Sequence, residues 1–441
     1  MENFTSPYSP ITEEDKTEML KAIGITSRSE LFSDLPSKHI NPILNLPDST
    51  SEFDLSREIS ILANSNKTPG KIPSFLGAGS YRHFIPSVVR QISNRGEYMT
   101  SYTPYQPEVS QGTLQVGYEF QSMICELTGM EVANSGMYDG ATSLAEAALM
   151  SSRVTKRNEV IILDTVSPRY YNVVKTFLKS SNISLFQANS IEHIKSLASD
   201  KTAAVLVQSP NFFGYIENLT EIQQITKNVS ALFVISSDPI SMAFFKPPAH
   251  YNADIVVAES QPLGIPSSFG GPYLGIFACK KKYLRQMPGR IVGKTIDQDN
   301  NPGFVLTLQA REQHIRRESA TSNICTSAAL IALTSTAYLA CLGKQGLKYV
   351  SELCYHKAHF AASSIQSIPG YSLPLDGTFF KEFVIKCPRH PKEINSILRQ
   401  NNIIGGYDIS DVITNGMLLC FTEVNTKTEI EQLITILKSI Q

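Results

Sequence analysis

A series of short apolar segments, set after segments of helical pattern, is the feature that most constrains how this chain can fold. Helical patterns in YEFQSMICELTGM and TSLAEAALMSSRVT lead into the series. Apolar strands without polar interruptions are typical of strands buried on both faces, so the pattern predicts a mostly parallel α/β sheet. The predicted strands are rich in β-branched residues and read EVIILDT, ISLFQ, TAAVLVQS, ALFVISSD, ADIVVAES and LGIFACK.

Three parts are predicted around this sheet. Residues 1–70 form an N-terminal arm, in which Thr12 caps a helix that begins with acidic residues and a Pro-rich run then lacks regular structure. Residues 71–330 form the large α/β domain, and residues 331–441 form a small α+β domain next to a long helix in SNICTSAALIALTSTAYLACLG. Together these parts favour the aminotransferase-like fold of pyridoxal-phosphate (PLP) enzymes, although such sheets host many chemistries.

The balance of 39 basic and 40 acidic residues argues against nucleic-acid binding, because it leaves no global field. Seven cysteines without CxxC spacing indicate buried free thiols in a reducing setting. We find neither the pattern of a secretory signal nor an apolar run of the roughly 20 residues that a membrane span needs. His314 has no second ligand at metal spacing, so no metal site is expected. The expectation is a cytoplasmic protein that binds neither nucleic acid nor membrane.

Two places in the sequence are candidates for a cofactor pocket. Gly140 and Thr142 begin the helix of YDGATSLAEAALM, where free N–H groups and the helix dipole favour a phosphate group. An ordinary Thr or Ser N-cap is the alternative. Asp238 ends the strand ALFVISSD, where a carboxylate can hold a protonated pyridine nitrogen. An Asp after a strand is more often a turn residue.

Two further runs carry unusual side chains. In EYMTSYTPYQPEVSQGTLQ, two prolines fix the backbone and present tyrosines and polar groups with little freedom, which favours a pocket wall or an intersubunit contact over a plain surface loop. QAREQHIRRESATSNICT concentrates arginines, which favours recognition of a carboxylate, a phosphate or an acidic partner. The alternative is a solvated helix face neutralised by Glu312 and Glu318.

Several motifs resemble one family. TSYTPYQPEVSQGTLQ, YDGATSLAEAALM, VQSPNFFGYIEN, MPGRIVG and REQHIRRESATSNICT are similar to the N-terminal half of glycine dehydrogenase (decarboxylating), the P-protein of the glycine cleavage system. The overall length matches the separate first subunit found where the P-protein is split in two. The resemblance implies PLP fold type I: an N-terminal arm, a large domain with a mostly parallel sheet of the seven-stranded type, and a small C-terminal α+β domain.

In that family the second subunit carries a His-Lys pair after the corresponding strand, and its lysine holds PLP as a Schiff base. Setting ESQPLGIPSSFGGP against that segment places Ser260 and Gln261 where the pair would stand. A carboxamide cannot form an imine, so the comparison implies that this chain holds no covalent PLP and is inactive alone. Gly140, Thr142 and Asp238 then become vestigial cofactor-pocket positions.

Two other sequence features bear on the same pocket. Lys246 precedes the strand and Lys280–Lys282 follow the next one, so no lysine close in sequence replaces the missing amine. Ser167 stands where a His-Pro pair is frequent in the family, which indicates a degenerate pocket.

The resemblance implies a heteromeric enzyme, a heterotetramer with the lysine-bearing subunit, in which PLP on the partner decarboxylates glycine and the aminomethyl group passes to the lipoyl arm of H-protein. T-protein and L-protein act in the same pathway. A self-sufficient PLP aminotransferase or lyase and a purely structural subunit are the alternatives. By matched motif, the residues expected to reach the partner's site are Tyr102, Tyr105, Glu108, Ser110 and Gln111, and those expected at the interface or the lipoyl entrance are Arg290, Arg311, Arg316 and Arg317.

Overall fold

The computed structural model describes Tyr8 and residues 10–40, 42–324 and 328–440. It divides into two compact units, residues 1–66 and 67–441. The large and small domains predicted from the sequence both fall within the second unit, and their boundary near residue 330 stays a prediction. The predicted long helix starts later than expected: residues 322–324 are not helical, residues 325–327, including Cys325, lie outside the described residues, and the helix begins at Ala329.

Among its described residues, the first unit contains two α-helices, α1 (Glu13–Ile23) and α2 (Glu52–Asn64), with short 3₁₀ turns between them. The predicted cap of α1 is confirmed, since the Thr12 hydroxyl accepts from the Asp15 N–H at 3.2 Å and the Asp15 carboxylate accepts from the Thr12 N–H at 2.7 Å. This reciprocal pair satisfies two N–H groups that a helix start leaves free. The Pro-rich run, residues 33–50, was predicted to lack regular structure. Residues 42–50 form neither helix nor strand, as predicted, but Ser37–His39 form a short 3₁₀ turn.

The second unit is built on a seven-stranded sheet with the strand order β1-β7-β6-β5-β4-β2-β3. Pairing is parallel from β6 through to β3 and antiparallel where β7 joins β6 and β1. The predicted mostly parallel α/β sheet is therefore confirmed. The strands are β1 (Val132–Ala133), β2 (Glu159–Leu163), β3 (Ser184–Ala188), β4 (Thr202–Gln208), β5 (Leu232–Ser236), β6 (Ile255–Glu259) and β7 (Gly275–Cys279).

Successive residues of the central strands enter two different cores, because side chains alternate between the faces of a sheet. On β5, Phe233 and Ile235 join one cluster, while Leu232 and Val234 join the other. The prediction that every strand is buried on both faces is wrong for β3, which lies at the edge of the sheet and leaves Phe186 39% exposed.

Helices cover both faces of this sheet, and three more follow in the C-terminal part of the chain. Those of the large part are α3 (Ser87–Ser93), α4 (Gly96–Met99), α5 (Gln111–Thr128), α6 (Gly140–Thr155), α7 (Pro168–Lys179), α8 (Ile191–Leu197), α9 (Leu219–Asn228) and α10 (Gln313–Arg316). The others are α11 (Ala329–Gln366), α12 (Pro391–Gln400) and α13 (Lys427–Ser439). In the part of the chain that is described, none of these helices has the length and hydropathy to span a bilayer.

Two smaller sheets complete the second unit. A hairpin joins β8 (Ile291–Ile296) to β9 (Pro302–Thr307), and a three-stranded sheet has the order β10 (Glu382–Lys386), β12 (Gly416–Cys420), β11 (Tyr407–Asp408). Helix α11 serves two cores: Tyr338 packs under the large sheet, and Ala361 packs under the small one. Gly343 interrupts the helix between them with φ 59°, a conformation that glycine adopts readily.

Candidate functional site

A crevice lies beyond the carboxyl ends of β4, β5 and β6, the place where ligands commonly bind in open α/β sheets. Side chains from the strand ends form one wall, and the residues that lead into β10 form the other. The lining residues that matter for its chemistry are Tyr81, Ser167, Tyr170, Asp238, Glu259 and Lys381.

The start of α6, predicted as a phosphate cup, lies next to the crevice residues Glu259 and Tyr170 and already has acceptors. Asp139 caps the helix, and its carboxylate accepts from the Thr142 N–H at 2.7 Å. Glu259, at the end of β6, accepts from the Gly140 N–H at 3.0 Å through its second carboxylate oxygen. The first oxygen accepts from the Gln261 N–H at 3.0 Å. Carboxylates of the chain itself therefore occupy two of the N–H donors that an anion would use, those of Gly140 and Thr142.

Gly140 is required here by the close approach of neighbouring groups. A Cβ at this position would collide with the Tyr170 hydroxyl and come within 3.0 Å of the Glu259 backbone and Cβ. The Tyr170 hydroxyl thus lies directly against the helix start. Burial raises the pKa of Tyr170 far above its usual value, and the charges of Glu259, Asp139 and Asp238 raise it further.

Gln261 is buried, and both the nitrogen and the oxygen of its side-chain amide are hydrogen-bonded to the backbone, an arrangement called the Gln261 clamp below. Its side-chain amide donates to the carbonyl oxygens of Tyr81 and Ile265, each at 2.8 Å, and its carbonyl oxygen accepts from the Tyr81 N–H at 2.8 Å. With 1% of its surface exposed, it pairs with a backbone segment as a neighbouring strand would. Ser260 is also buried, and its hydroxyl lies 3.1 Å from that of Ser335.

Asp238 has a partner that the sequence analysis missed. Its second carboxylate oxygen lies 2.6 Å from the ammonium of Lys381, and its first accepts from the Ile240 N–H at 2.8 Å. The Lys381 side chain is only 2% exposed, and its ammonium lies 3.6 Å from the centre of the Tyr81 ring. Burial is the largest single influence on the pKa of Lys381 and lowers it. The charge of Asp238, the neighbouring Cys420 and Cys354 and the hydrogen bond to Asp238 together outweigh burial and raise the pKa, so this amine is held as a cation.

A second buried carboxyl adjoins this ion pair. Glu382 accepts from the Ala78 N–H and from the Tyr81 hydroxyl, each at 2.7 Å. Burial raises its pKa to about 7 despite these donors, and burial likewise raises the pKa of Glu259 to about 7. The adjacent Lys381 and Glu382 interrupt the apolar run FFKEFVIKC, and that charged pair within a strand pattern was the signal that could have found them.

The Lys381 ammonium continues into a polar chain on its far side. It lies 3.2 Å from Nε2 of His83, whose Nδ1 lies 2.7 Å from the Glu423 carboxylate. His83, Glu423 and the Cys354 thiol bring potential ligand atoms within 4.8 Å of one another. The adjacent ammonium disfavours a metal ion there, so hydrogen bonding explains the group.

Ser167, which stands where a His-Pro pair is frequent in the family, lines the crevice and is buried. Its N–H donates to the Gln208 side chain at 2.9 Å, immediately before α7 begins.

The second candidate region is residues 97–115, here called the tyrosine segment. It contains the end of α4, a short 3₁₀ turn over Pro107–Val109 and the start of α5. Tyr102 is 83% exposed, and Glu108 is exposed as well, whereas Ser110 is partly buried at the start of α5. Gln111 uses its amide to bind both backbone groups of Phe304 in β9, each at 2.9 Å.

Tyr105 and Arg290 meet, although the two were predicted separately. The buried Arg290 guanidinium donates to the Tyr105 hydroxyl at 2.8 Å and lies 5.0 Å from its ring centre. Glu312 approaches Arg290 at 3.5 Å, and the His314 ring lies 5.3 Å from the Tyr105 ring. Within the described residues, neither Glu312 oxygen has a hydrogen-bond partner, so the carboxylate acts on Arg290 through charge.

The remaining arginines differ in their contacts and exposure. Arg311 folds inward and donates to the carbonyl oxygens of Leu308 and Gly289, at 3.1 and 2.9 Å, and to that of Met287. Arg316 donates through Nε to the Ala310 carbonyl at 3.0 Å, and Arg317 is exposed with φ 52°. The predicted arginine cluster is thus divided between backbone support and surface.

The family model described as glycine cleavage system P-protein matches residues 6–437 of this chain. The chain belongs to this family. It is 47% identical over 442 residues to the probable glycine dehydrogenase (decarboxylating) subunit 1 of Thermomicrobium roseum, with 98% of this chain and 99% of the relative covered. A crystal structure of glycine decarboxylase (P-protein) of the glycine cleavage system, in inhibitor-bound form, is 39% identical with a TM-score of 0.92, over 99% of this chain and 100% of that one.

More distant structures confirm the predicted PLP fold type I architecture. A C-DES mutant with glycine covalently linked to its PLP cofactor has a TM-score of 0.62 over 90% of this chain and 100% of that one. At 14% identity, the likeness concerns the fold alone.

The crevice of this P-protein chain does not fit a covalently held PLP. Gln261 is locked in three hydrogen bonds, and a carboxamide forms no imine. Among the residues that line the crevice in the described chain, Lys381 is the single lysine, and it is a cation paired with Asp238. The residues of this crevice therefore supply no amine for a covalent link to PLP.

Proposed function

We propose that this chain is the subunit without the PLP lysine in a two-subunit glycine dehydrogenase (aminomethyl-transferring). The assembled enzyme decarboxylates glycine, releases CO₂ and passes the aminomethyl group to the lipoyl group of H-protein, in the same pathway as T-protein and L-protein. PLP is bound covalently on the partner subunit, and the two kinds of subunit form a cytoplasmic heterotetramer. The designation of the Thermomicrobium roseum relative as subunit 1 supports a partner of this kind.

The observation that carries this proposal is the clamp made by Gln261. A P-protein fold whose crevice offers no available amine can assist a neighbouring site but cannot form an imine of its own. The hydrogen bonds of the amide with Tyr81 and Ile265 support a structural role for Gln261 within this chain.

The tyrosine segment is the part of this chain that we assign to the partner's active site. Tyr102 and Glu108 are exposed and supply an aromatic face and a carboxylate to line that site and limit water there. Tyr105 lies between them, with its hydroxyl held by Arg290. Ser110 and Gln111 begin α5, and the bonds from Gln111 to Phe304 fix the end of the segment. Groups fixed before binding lose little entropy when the complex forms.

The arginine positions follow from their contacts. Arg290 and Arg311 support the tyrosine segment and the loop before β8 from inside the protein. Arg316 and Arg317 are exposed at α10, where guanidinium groups suit an acidic surface of the partner or of H-protein.

The test is glycine–bicarbonate exchange, which reports reversible decarboxylation. We expect no exchange with the purified chain and H-protein, and exchange once the lysine-bearing subunit is added. Borohydride reduction with peptide mapping then locates the cofactor, and we expect pyridoxyl-lysine on the partner only. Exchange by this chain without the partner, or pyridoxyl-lysine within it, would refute the proposal and favour a self-sufficient PLP enzyme.

A further inference from the structure

We propose that this chain carries internal substitutes for the cofactor, which close its crevice to pyridoxal compounds even when no covalent bond is required. Lys381 takes the position of a pyridinium beside Asp238, and Glu259, Asp139 and Tyr170 take the positions around a phosphate at the start of α6. This goes beyond the proposed function, which concerns only the covalent link, and it rests on contacts within this chain.

The ring-nitrogen end is closed by the ion pair of Asp238 and Lys381. Both carboxylate oxygens are engaged, one by Lys381 at 2.6 Å and the other by the Ile240 N–H at 2.8 Å. A pyridinium must displace the ammonium in order to reach the carboxylate. The displaced ammonium would remain beside the Tyr81 ring and His83, deprived of its 2.6 Å contact with Asp238, in a site that is 2% exposed. Leaving one member of a buried ion pair uncompensated is strongly unfavourable.

The phosphate end is closed by acceptors that already hold the helix donors. The Gly140 N–H is bound by Glu259, and the Thr142 N–H is bound by Asp139. The Tyr170 hydroxyl lies against Gly140 and takes up the adjoining space. A phosphate would bring its own negative charge next to two carboxyl groups while gaining no free N–H from these two residues.

A cofactor site that had only lost its lysine would differ from the observed crevice. Loss of the lysine alone would leave Asp238 without a cation and the helix donors facing an open crevice. Here each end instead has a buried, oppositely charged or hydrogen-bonding group from a separate element: Lys381 precedes β10, and Glu259 ends β6. These substitutes stabilise a crevice with no ligand in it, as buried polar groups require partners.

The experiment uses pyridoxamine 5′-phosphate, which cannot form imines with surface lysines and so reports the pocket alone. The full chain is titrated by equilibrium dialysis up to about 1 mM ligand, the weak end of specific binding. Wild type is compared with Glu259→Gln, Lys381→Met and the double variant, and Lys246→Met, which removes an exposed lysine, is the matched control. We expect no saturable binding by wild type or Lys246→Met. We expect binding to appear and to tighten about tenfold with each crevice substitution.

Lys381→Met leaves Asp238 without its cation and lowers stability, which provides a second readout. Pyridoxamine phosphate should raise the unfolding midpoint of this variant and leave that of wild type unchanged, since its pyridinium restores a partner to Asp238. If this variant does not fold, the inference is tested with Glu259→Gln alone, because this variant keeps Lys381. It is expected to bind inorganic phosphate, whereas wild type is not. Saturable binding by wild type, or folded crevice variants that bind no better than wild type, would overturn the inference. Either result leaves the exchange test of the proposed function intact.

Discussion

The crevice and the tyrosine segment are opposite in how they use their polar groups. In the crevice, Asp238 and Lys381 are bonded to each other, and the buried Gln261 beside it is bonded to the backbone of the chain. In the tyrosine segment, the backbone is held from inside through Gln111, while Tyr102 and Glu108 remain exposed. Polar side chains are present in both regions, but those of the crevice point to partners inside the protein and those at the tips of the tyrosine segment point to solvent.

Whether a polar side chain is bonded within the chain or exposed indicates whether it serves stability or function. A polar group that is bonded internally contributes to stability, whereas a polar group that is fixed at its base and exposed at its tip is available to another molecule. Substitutions in the crevice should hence change the free energy of unfolding, and substitutions at the tips of the tyrosine segment should change turnover.

The largest effect is expected for Lys381→Met. Removal of one partner of the buried pair leaves the Asp238 charge uncompensated and should lower the free energy of unfolding by about 3–5 kcal/mol. Urea unfolding of the isolated chain measures this, with the exposed Lys246→Met as control. A loss below about 1 kcal/mol is what removal of a surface ion pair costs. That result would mean that Lys381 contributes no more than a solvated lysine and that the crevice is not stabilised differently from the tyrosine segment.

The next effect is a dependence of stability on pH. The folded-state pKa of both Glu259 and Glu382 is about 7, above the ordinary 4.5, so the folded chain binds more protons than the unfolded chain between these values. Their contribution to stability is therefore full below about pH 4.5 and falls as the pH rises toward 7, by at most about 3 kcal/mol for each group.

Glu382→Gln tests this dependence, because its amide cannot ionise. Unfolding free energies of wild type and variant are compared at several pH values from about 5 to 8. The difference between them should shift in favour of the variant as the pH rises. A constant difference over this range would mean that Glu382 does not titrate near neutrality.

Glu108→Ala should act on turnover and leave stability nearly unchanged. Loss of a group that orients a reacting complex can cost about 100-fold in rate, and exposed substitutions change stability little. Glu97→Ala is the control, since Glu97 lies in the same segment but pairs locally with Arg95 at 2.6 Å. Exchange is measured in the assembled enzyme, with assembly checked by gel filtration. Unchanged turnover in an intact complex would favour the purely structural subunit.

Tyr105→Phe should have the smallest effect. The substitution removes the hydroxyl that accepts from Arg290 and should cost about 1 kcal/mol of stability while the aromatic ring stays in place. Thermal unfolding of the chain and exchange in the complex are measured together. A large loss of turnover without a loss of stability would show that the hydroxyl contacts the partner's site more than it serves Arg290.

The sequence predicted the sheet and the family well because both depend on local or linear patterns. Strands such as ALFVISSD are continuous apolar runs, and the motifs of the P-protein are contiguous. The sequence did not predict the approach of Lys381 to Asp238, since the two are separated by 143 positions in the chain and their meeting depends on tertiary packing. The same reason explains why Tyr105 and Arg290 were noted separately but not as a pair.

The arginine-rich run shows a different limit. Density of charge indicated recognition or a solvated helix, but Arg311 instead supports the carbonyls of Met287 and Gly289. Composition cannot distinguish a guanidinium that binds a partner from one that binds its own backbone, because both use the same fork of donors.

Lys381 leads into the small sheet, while Asp238 follows a strand of the large one. Any hinge motion that parted the two sheets at this point would have to separate opposite charges out of reach of water. The ion pair therefore holds the large and small sheets of this chain together at the crevice.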